Sequence, residues 1–401
     1  MIFEFETSEG TTTIHPIFEE TDSYTGKRQE GPGTEITFSG DSITFDYEVK
    51  KIHPDILGLI CLCIFHPFIG ERVIFPKPVS PRLKEAFDNK CFKRYFRFDN
   101  IDESVERYSG DKLAISYGGG IDSSAVRVVF PDAHIVHEAH IKNGELVPSH
   151  SHEIVMNLGP DQATLVTTNQ RYVSRPGGWH GWTCSTITSL LLATDFQFGV
   201  ILTGSILGST MLNNGRSYWD RHRARGWHGP TGNFWQSAFQ LIGIPMFSPM
   251  TGASEFITMQ ASIPLLSKNE VVYCMEENGA ACNQCSKCFR RAVIRNVVDD
   301  SYDSDLKEYD IPEIHQFLER DPLYFGHIFS YARTKGTLPN WVLSRMENVP
   351  TIDTDWLLKV RPDSFDFIEE PWDILLKERM SEHFPFMDDS DVSEMETWTQ
   401  E

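Results

Sequence analysis

The chain has 401 residues, of which 40% are hydrophobic and 23% are charged, so it is long enough to fold as one full α/β domain with a smaller companion. Its formal net charge at pH 7 is −21, whereas binding to a phosphate backbone depends on Lys and Arg. We therefore do not expect nucleic acid, transfer RNA included, as a partner.

Residues 1–109 combine strand patterns with one apolar helix. Short alternating stretches at 2–5, 35–38 and 42–45 are separated by turns, which indicates antiparallel hairpins. The longest apolar run, at 56–65, is shorter than the roughly 20 residues that cross a bilayer and predicts a buried helix. The acidic first residues lack the basic stretch of a secretory signal. We predict an N-terminal accessory α+β domain and no membrane partner.

Residues 112–130, KLAISYGGGIDSSAVRVVF, place a short apolar strand, a glycine-rich turn and the start of a helix in direct succession. The glycines allow backbone angles that a Cβ would forbid, and the helix start offers N–H groups and a positive dipole end to an anion. An ordinary glycine turn with a capped helix is the alternative. The candidate nucleotide-binding residues are Gly118, Gly119, Gly120, Asp122, Ser123 and Ser124, with Asp122 also a candidate ligand of Mg²⁺.

The segment 110–298 goes on alternating strands and helices, which is the pattern of a parallel sheet covered on both faces. Strands are predicted at 133–136, 164–167, 198–202 and 244–247, and a helix at 185–193. Ligands of such sheets lie beyond the carboxyl ends of the strands. Gly204 and Ser205 follow one of these strands, so we assign them to the same nucleotide site.

Two stretches rich in aromatic and basic residues, 175–182 and 216–229, each contain Trp-His-Gly. Long loops of this kind are often functional, and guanidinium groups match phosphate oxygens in pairs. Arg221, Arg223 and Arg225 are therefore candidates for contact with pyrophosphate, and Trp179 and Trp227 for stacking on a heterocycle. A solvated loop whose tryptophans cover a neighbouring core is the alternative.

A histidine-rich segment comprises His134, His137, His140, His150 and His152. We interpret these side chains as surface or substrate-contact groups in preference to a second metal site.

Four cysteines, Cys274, Cys282, Cys285 and Cys288, follow the spacing C-x7-C-x2-C-x2-C. Four thiolates at this spacing suit a tetrahedral Zn²⁺, and the short steps let backbone N–H groups turn toward the sulfurs. Arg290 and Arg291 follow directly and would offset the negative charge. An iron–sulfur cluster, buried free thiols and disulfides are the alternatives. Clustered metal-type cysteines favour a reducing cytoplasm.

Residues 299–401 are predicted to form a helical extension. Its end, after Asp363, is markedly acidic, and we expect that end to be solvated and partly disordered.

The glycine turn resembles the PP-loop of the ATP pyrophosphatases, usually written SGGxDS, with Gly118 in place of the first serine. Together with the downstream cysteines it resembles 7-cyano-7-deazaguanine synthase and its relatives over roughly 110–298. The resemblance implies a Rossmann-like parallel sheet of the PP-loop type that binds ATP, Mg²⁺ and Zn²⁺. Asp122, Ser123 and the three loop arginines are then the candidate catalytic residues.

The activity implied by this resemblance is adenylation of a carboxylate with release of pyrophosphate, followed by attack of ammonia or an amine. Relatives with extra domains occur beside antiphage defence genes, so the substrate is either a deazapurine or a protein. A thiolating enzyme that uses Cys184 and a nucleotide-binding module without turnover are the competing functions. A monomer and a homodimer both stay open.

Overall fold

The computed structural model describes residues 1–27, 35–88, 96–142, 145–170, 173–174, 184–212, 215–218, 238–274, 279–346, 349–353 and 355–400. The strands in these ranges are β1 (Ile2–Ser8), β2 (Thr11–Ile17), β3 (Thr25–Lys27), β4 (Glu35–Phe38), β5 (Ile43–Phe45), β6 (Arg72–Val73), β7 (Arg97–Phe98), β8 (Lys112–Ser116), β9 (His134–Lys142), β10 (Glu145–Leu146), β11 (Ala163–Thr168), β12 (Val173–Ser174), β13 (Phe198–Leu202) and β14 (Met246–Phe247).

The helices in the same ranges are α1 (Pro54–Phe65), α2 (Pro81–Asp88), α3 (Ile121–Val129), α4 (His150–Leu158), α5 (Cys184–Phe196), α6 (Leu207–Thr210), α7 (Glu255–Leu266), α8 (Ser286–Val298), α9 (Pro312–Leu318), α10 (Gly326–Thr334), α11 (Asn340–Leu343), α12 (Trp372–His383) and α13 (Asp389–Thr397). Three short 3-10 helices lie at Lys307–Tyr309, Trp356–Leu358 and Pro362–Phe367. No helix of this described set is long and apolar enough to cross a membrane.

A large, mostly parallel sheet organises the fold, which is mixed α/β as predicted. Among the described residues it has the order β1-β2-β5-β11-β9-β8-β13-β14, with β10 paired to β9. The strands from β11 to β14 in this order are parallel to one another. The chain leaves β8 toward β9 and β11, then returns to the other side of β8 to form β13 and β14. In open sheets of this kind, ligands bind at such a reversal, which here falls at the carboxyl ends of β8 and β13.

Both faces of the central strands β8 and β13 are buried. In β8, Leu113 and Ile115 belong to the core that includes residues of α3, α4 and α7, whereas Ala114 between them joins the core formed with α1 and α5. In β13, Val200 likewise belongs to the core with α3, α4 and α7, and its neighbour Ile201 belongs to the core with α1 and α5. Since successive side chains of a strand point to opposite faces, a strand covered on both sides reads as a continuous apolar run.

The N-terminal strands extend this sheet. β5 pairs antiparallel with β11, where Phe45 lies opposite Thr168, and β2 and β1 follow outward. The predicted apolar helix is α1, in which every residue from Asp55 to Phe65 is buried. One sheet therefore contains strands from both sides of the predicted boundary at residue 109. The division of the chain into 1–109, 110–298 and 299–401 stays a prediction.

The C-terminal helices surround a third core, which contains Phe289, Tyr331 and Trp356. The expectation of a partly disordered acidic end is wrong at α13, because this helix begins with a capping box at Asp388 and buries Met395 in that core. The sequence of α13 has no apolar run, because its apolar residues occur about once per turn among acidic ones. That spacing is nevertheless enough to pack one face of the helix on the core.

Candidate functional site

The glycine turn joins the carboxyl end of β8 to α3, as the sequence predicts. Gly119 has φ +77°, and a Cβ placed there would lie 2.5 Å from Cβ of Ser151, so this position requires glycine on two counts. Gly118 and Gly120 differ, since a Cβ at either would meet nothing within 4 Å. The turn is therefore held tightly at its centre and is open on both sides.

The N-terminus of α3 faces this open side. Its N-cap residue, Gly120, is extended and provides no side-chain cap. The first helical hydrogen bond runs from the N–H of Ser124 to the carbonyl of Gly120 at 2.9 Å. The N–H groups of Ile121, Asp122 and Ser123 precede that bond, and such groups make helix starts bind anions.

Three side chains beside the glycine turn, predicted to bind the nucleotide, make different hydrogen bonds. Asp122 is half-buried, and its Oδ1 accepts a hydrogen bond of 2.9 Å from the Thr258 hydroxyl. The Ser123 hydroxyl donates to the Gly120 carbonyl at 3.1 Å. Ser124 is fully buried, and its hydroxyl lies 3.1 Å from that of Tyr117. The expected contact of the Ser124 hydroxyl with a phosphate therefore finds no support in this geometry.

The end of β13 reaches the same place. A Cβ at Gly204 would lie 2.7 Å from the backbone N of Ser123, so the residue after β13 can pack this closely against α3 only because it is glycine. The carbonyl of the adjacent Ser205 accepts a hydrogen bond of 2.6 Å from Ser248. The structure thus brings Gly204 against the first turn of α3, as the sequence predicts for a shared site.

The four predicted metal-binding cysteines come together. Their sulfur atoms all lie within 4.8 Å of one another, with 3.9 Å between Cys274 and Cys285 and 3.7 Å between Cys282 and Cys288. Four sulfurs at about 2.3 Å from a tetrahedral Zn²⁺ are about 3.8 Å apart. These separations are far longer than a disulfide bond. The donor set is therefore right for a metal such as zinc.

Backbone donors support the sulfurs as the spacing predicts. The N–H of Cys285 donates to Sγ of Cys282, and the N–H of Cys288 donates to Sγ of Cys285, both at 3.4 Å. Burial raises the pKa of the Cys282 thiol, but hydrogen bonds from the backbone of Gln284 and Cys285 outweigh it and lower the pKa to about 7. This thiol is prepared to bind a metal as a thiolate.

The cysteine cluster and the glycine turn are directly connected. The N–H of Val272 donates to the carbonyl of Gly119 at 2.8 Å, two residues before the first metal-binding cysteine. Cys285 is also the N-cap of α8, and α8 packs against α7, which in turn packs against α3. A metal in the cluster would therefore fix the segment that supports the turn.

A charged pocket of about 140 Å³ lies beside the first turn of α3. Its charged side chains are Asp122, Glu255, Lys287, Arg290 and Arg291. Burial raises the pKa of Asp122, while the nearby Arg291 opposes the shift. Burial likewise acts to raise the pKa of Glu255, but the charge and hydrogen bond of His327 outweigh it and lower that pKa.

The sequence patterns do not predict this pocket. They point to Arg290 and Arg291 only as charges that offset the zinc site, and they do not single out Lys287 or Glu255. The available signal was helical spacing, because Lys287, Arg290, Arg291 and Ile294 follow i, i+3, i+4, i+7 and so share one face of α8.

Two histidines flank the turn on its other side. The ring of His137 is buried and its Nδ1 lies 2.6 Å from the carbonyl of Tyr117, the residue before the three glycines. His152 is also buried, and its ring centroid is 5.1 Å from that of His137. The histidine segment thus has two members beside the turn, while His134 hydrogen-bonds Thr164 at 2.8 Å.

Several predicted residues lie outside the described part of the chain. They are Arg221, Arg223, Arg225, Trp179 and Trp227. Cys184 begins α5, but its side chain is likewise not described.

Residues 234–399 match a family described as "Family of unknown function (DUF6395)". The match contains all four metal-type cysteines and the helices α7 and α8, and the glycine turn lies before it. Comparisons with curated proteins and with solved structures found no match.

Proposed function

We propose that this protein is an ATP-dependent, AMP-forming ligase of the PP-loop type with a Rossmann-like sheet, similar to 7-cyano-7-deazaguanine synthase. In the proposed reaction, a carboxylate oxygen attacks the α-phosphorus of ATP and pyrophosphate leaves. Ammonia or an amine then displaces AMP from the acyl adenylate. The product is a modified deazapurine or, in an antiphage role, a modified protein.

One observation carries the proposal: an open glycine turn and an uncapped helix start lie at the carboxyl ends of central parallel strands. The turn is hydrogen-bonded to the segment that leads into the four-cysteine cluster. Gly118 and Gly120 leave space for a ligand, and the N–H groups at 121–123 supply donors. The Val272–Gly119 hydrogen bond of 2.8 Å couples the two motifs. Oriented donors of this kind stabilise charge that develops on a phosphoryl group in the transition state.

The side chains fit the proposed ions. Cys274, Cys282, Cys285 and Cys288 form a complete four-ligand set, which is typical of a structural zinc that leaves no position open for substrate. Asp122 is the candidate ligand of Mg²⁺, an ion that neutralises phosphate charge when bound. Zinc therefore has a positioning role in this proposal, whereas Asp122 and the α3 N-terminus act on ATP.

The test is to incubate the purified protein with ATP and a metabolite extract, then to measure AMP, ADP and pyrophosphate and to identify any adenylated mass. We expect AMP and pyrophosphate in equal amounts. A Gly120→Ala variant is the matched control. Its Cβ would enter the space proposed for the nucleotide without meeting protein atoms, so it tests the role of the turn without disturbing the fold.

ADP as the only product would refute the PP-loop assignment. Tight ATP binding with no turnover in any extract would favour the module without activity. Salt-sensitive binding to bulk transfer RNA would favour the thiolating enzyme, since a protein of charge −21 is expected to show none.

A further inference from the structure

The charged pocket beside α3 has a second property besides its charge. Part of its wall is apolar and is formed by Ile121, Met259, Ile294 and Phe325. Its volume of about 140 Å³ corresponds to the space of several water molecules. The pocket is therefore suited to a small molecule that has both an apolar body and a charged group.

The charges in the pocket are unequally compensated. Asp122 accepts a hydrogen bond from Thr258, Glu255 lies 3.1 Å from Nε2 of His327, and Arg291 donates to the carbonyl of Tyr273. Lys287 and Arg290 also line the pocket. Within the described part of the chain, neither of these two side chains makes a hydrogen bond or an ion pair.

Arg290 is held in a fixed orientation. Its guanidinium carbon lies 3.7 Å from the centroid of the Phe325 ring, a stacked geometry that arginine favours on aromatic faces. The Nε atom of Arg290 is shielded from solvent without a partner. A guanidinium stacked on a ring keeps its edge donors available, and these match the two oxygens of a carboxylate.

We propose that this pocket binds the organic carboxylate that the enzyme activates, with the carboxylate at Lys287 and Arg290 and an apolar body against Phe325 and Ile294. This inference rests on the proposed function for its catalytic meaning. The pocket includes Ile121 and Asp122 of α3, so the bound carboxylate lies beside the helix start assigned to ATP. An inorganic phosphate would make no use of the apolar wall.

The experiment measures binding without ATP, so that it is independent of turnover. Acetate, isovalerate and benzoate, the neutral amide of each, and inorganic pyrophosphate are titrated into the zinc-loaded protein and followed by ligand-detected NMR. We expect the acids with larger apolar bodies to bind more tightly than acetate and at least about tenfold more tightly than their amides, as a charge-assisted hydrogen bond implies.

Lys287→Gln and Arg290→Gln should each weaken the tightest acid about tenfold, and Arg290→Lys should recover part of the loss. Arg295→Gln is the matched control on the same helix, because Arg295 pairs with Asp299 and does not line the pocket. Zinc content is measured for every variant, since Lys287 lies between two cysteines of the cluster. Ile294→Phe, which fills the pocket away from the cysteines, should abolish binding of benzoate.

Equal binding of acids and amides would overturn the inference, as would unchanged binding in both Gln variants with zinc retained. Displacement of the acids by pyrophosphate would instead assign the pocket to a phosphate group. Carboxylate binding in this experiment, together with no AMP formation from ATP in any metabolite extract, would refute the proposed function and leave the pocket assignment standing.

Discussion

Asp122 is the residue at which the two parts of the candidate site meet. It lies in the first turn of α3, directly after the glycine turn, and its side chain enters the charged pocket. Burial raises its pKa, and the nearby Arg291 opposes the shift. An acidic residue whose pKa is shifted by burial and by a specific charged neighbour, and which lines a pocket, is a candidate for a functional role.

Asp122→Asn keeps the size of the side chain and its hydrogen bond with Thr258 but cannot ionise. Because burial disfavours the ionised carboxylate, we expect an unchanged or slightly raised melting temperature. We expect AMP formation to fall at least about 100-fold, the scale of losing one electrostatic contact to a transition state. Asp132→Asn, which removes a surface pair with Arg379, is the control. Equal turnover in Asp122→Asn and wild type would remove Asp122 from the mechanism.

Glu19 gives a prediction of pH dependence. Hydrogen bonds from Arg72 and from the amino group of Met1 lower its pKa from 4.5 to about 2. A carboxylate with a lowered pKa stabilises the fold fully above its unfolded pKa, and the contribution disappears as the pH falls through the folded value. The stability difference between wild type and Glu19→Gln should therefore be largest near neutral pH and shrink between about 4.5 and 2.

Urea unfolding at neutral pH and at progressively lower pH measures this difference. Glu20→Gln is the control, because Glu20 is the exposed neighbour of Glu19. A difference that stays constant over the window would show that the Arg72 pair contributes nothing through charge.

At the scale of elements, the β8–α3 unit combines a rigid centre with open edges. Gly119 carries the backbone strain and the contact with Ser151, whereas Gly118 and Gly120 border free space. The three adjacent glycines therefore have separate roles that the sequence does not distinguish.

Gly119→Ala should destabilise the protein by about 2–4 kcal/mol, since it adds left-handed strain and an overpacked contact. Gly120→Ala has ordinary backbone angles and nothing within 4 Å, so its free energy of unfolding should change by less than about 1 kcal/mol. If the turn holds a phosphate, Gly120→Ala should nevertheless weaken ATP binding at least about tenfold. Thermal unfolding and ATP titration of both variants test this pair, and unchanged ATP affinity in Gly120→Ala would leave the turn a structural element only.

At the scale of the whole molecule, the cysteine cluster lies between the glycine turn and the C-terminal core. Cys288 and Phe289 are both fully buried within that core, and Val272 extends the link to the turn. Stability and nucleotide binding should therefore both depend on the metal.

We expect about one zinc per chain in a colourless protein. Removing it with a chelator should lower the melting temperature by more than about 5 °C, because metal binding to a folded site adds directly to stability. ATP affinity should fall as well. Cys61→Ser is the control for thiol loss, since Cys61 lies in α1, away from the cluster. A brown protein would indicate an iron–sulfur cluster, and unchanged ATP affinity after zinc removal would show that the coupling is absent.

The sequence by itself determined the local units of this protein. An apolar run followed by three glycines predicted the β8–α3 turn, and alternating apolar stretches predicted β1, β4 and β5. The cysteine spacing predicted the cluster and its N–H donors. These features depend on neighbours within a few residues of one another. Backbone conformation, strand periodicity and metal-ligand spacing are therefore readable from the chain.

Only the tertiary structure decided which local units meet. The charged pocket joins α3 to α7 and α8, which follow it in the chain by more than 120 positions. The pairing of β5 with β11 and the burial of α13 also depend on distant partners. The physical reason is that apolar burial and electrostatics act between surfaces, with no preference for sequence separation. The role of a cationic side chain such as Lys287 therefore depends on the side chains that the fold places around it.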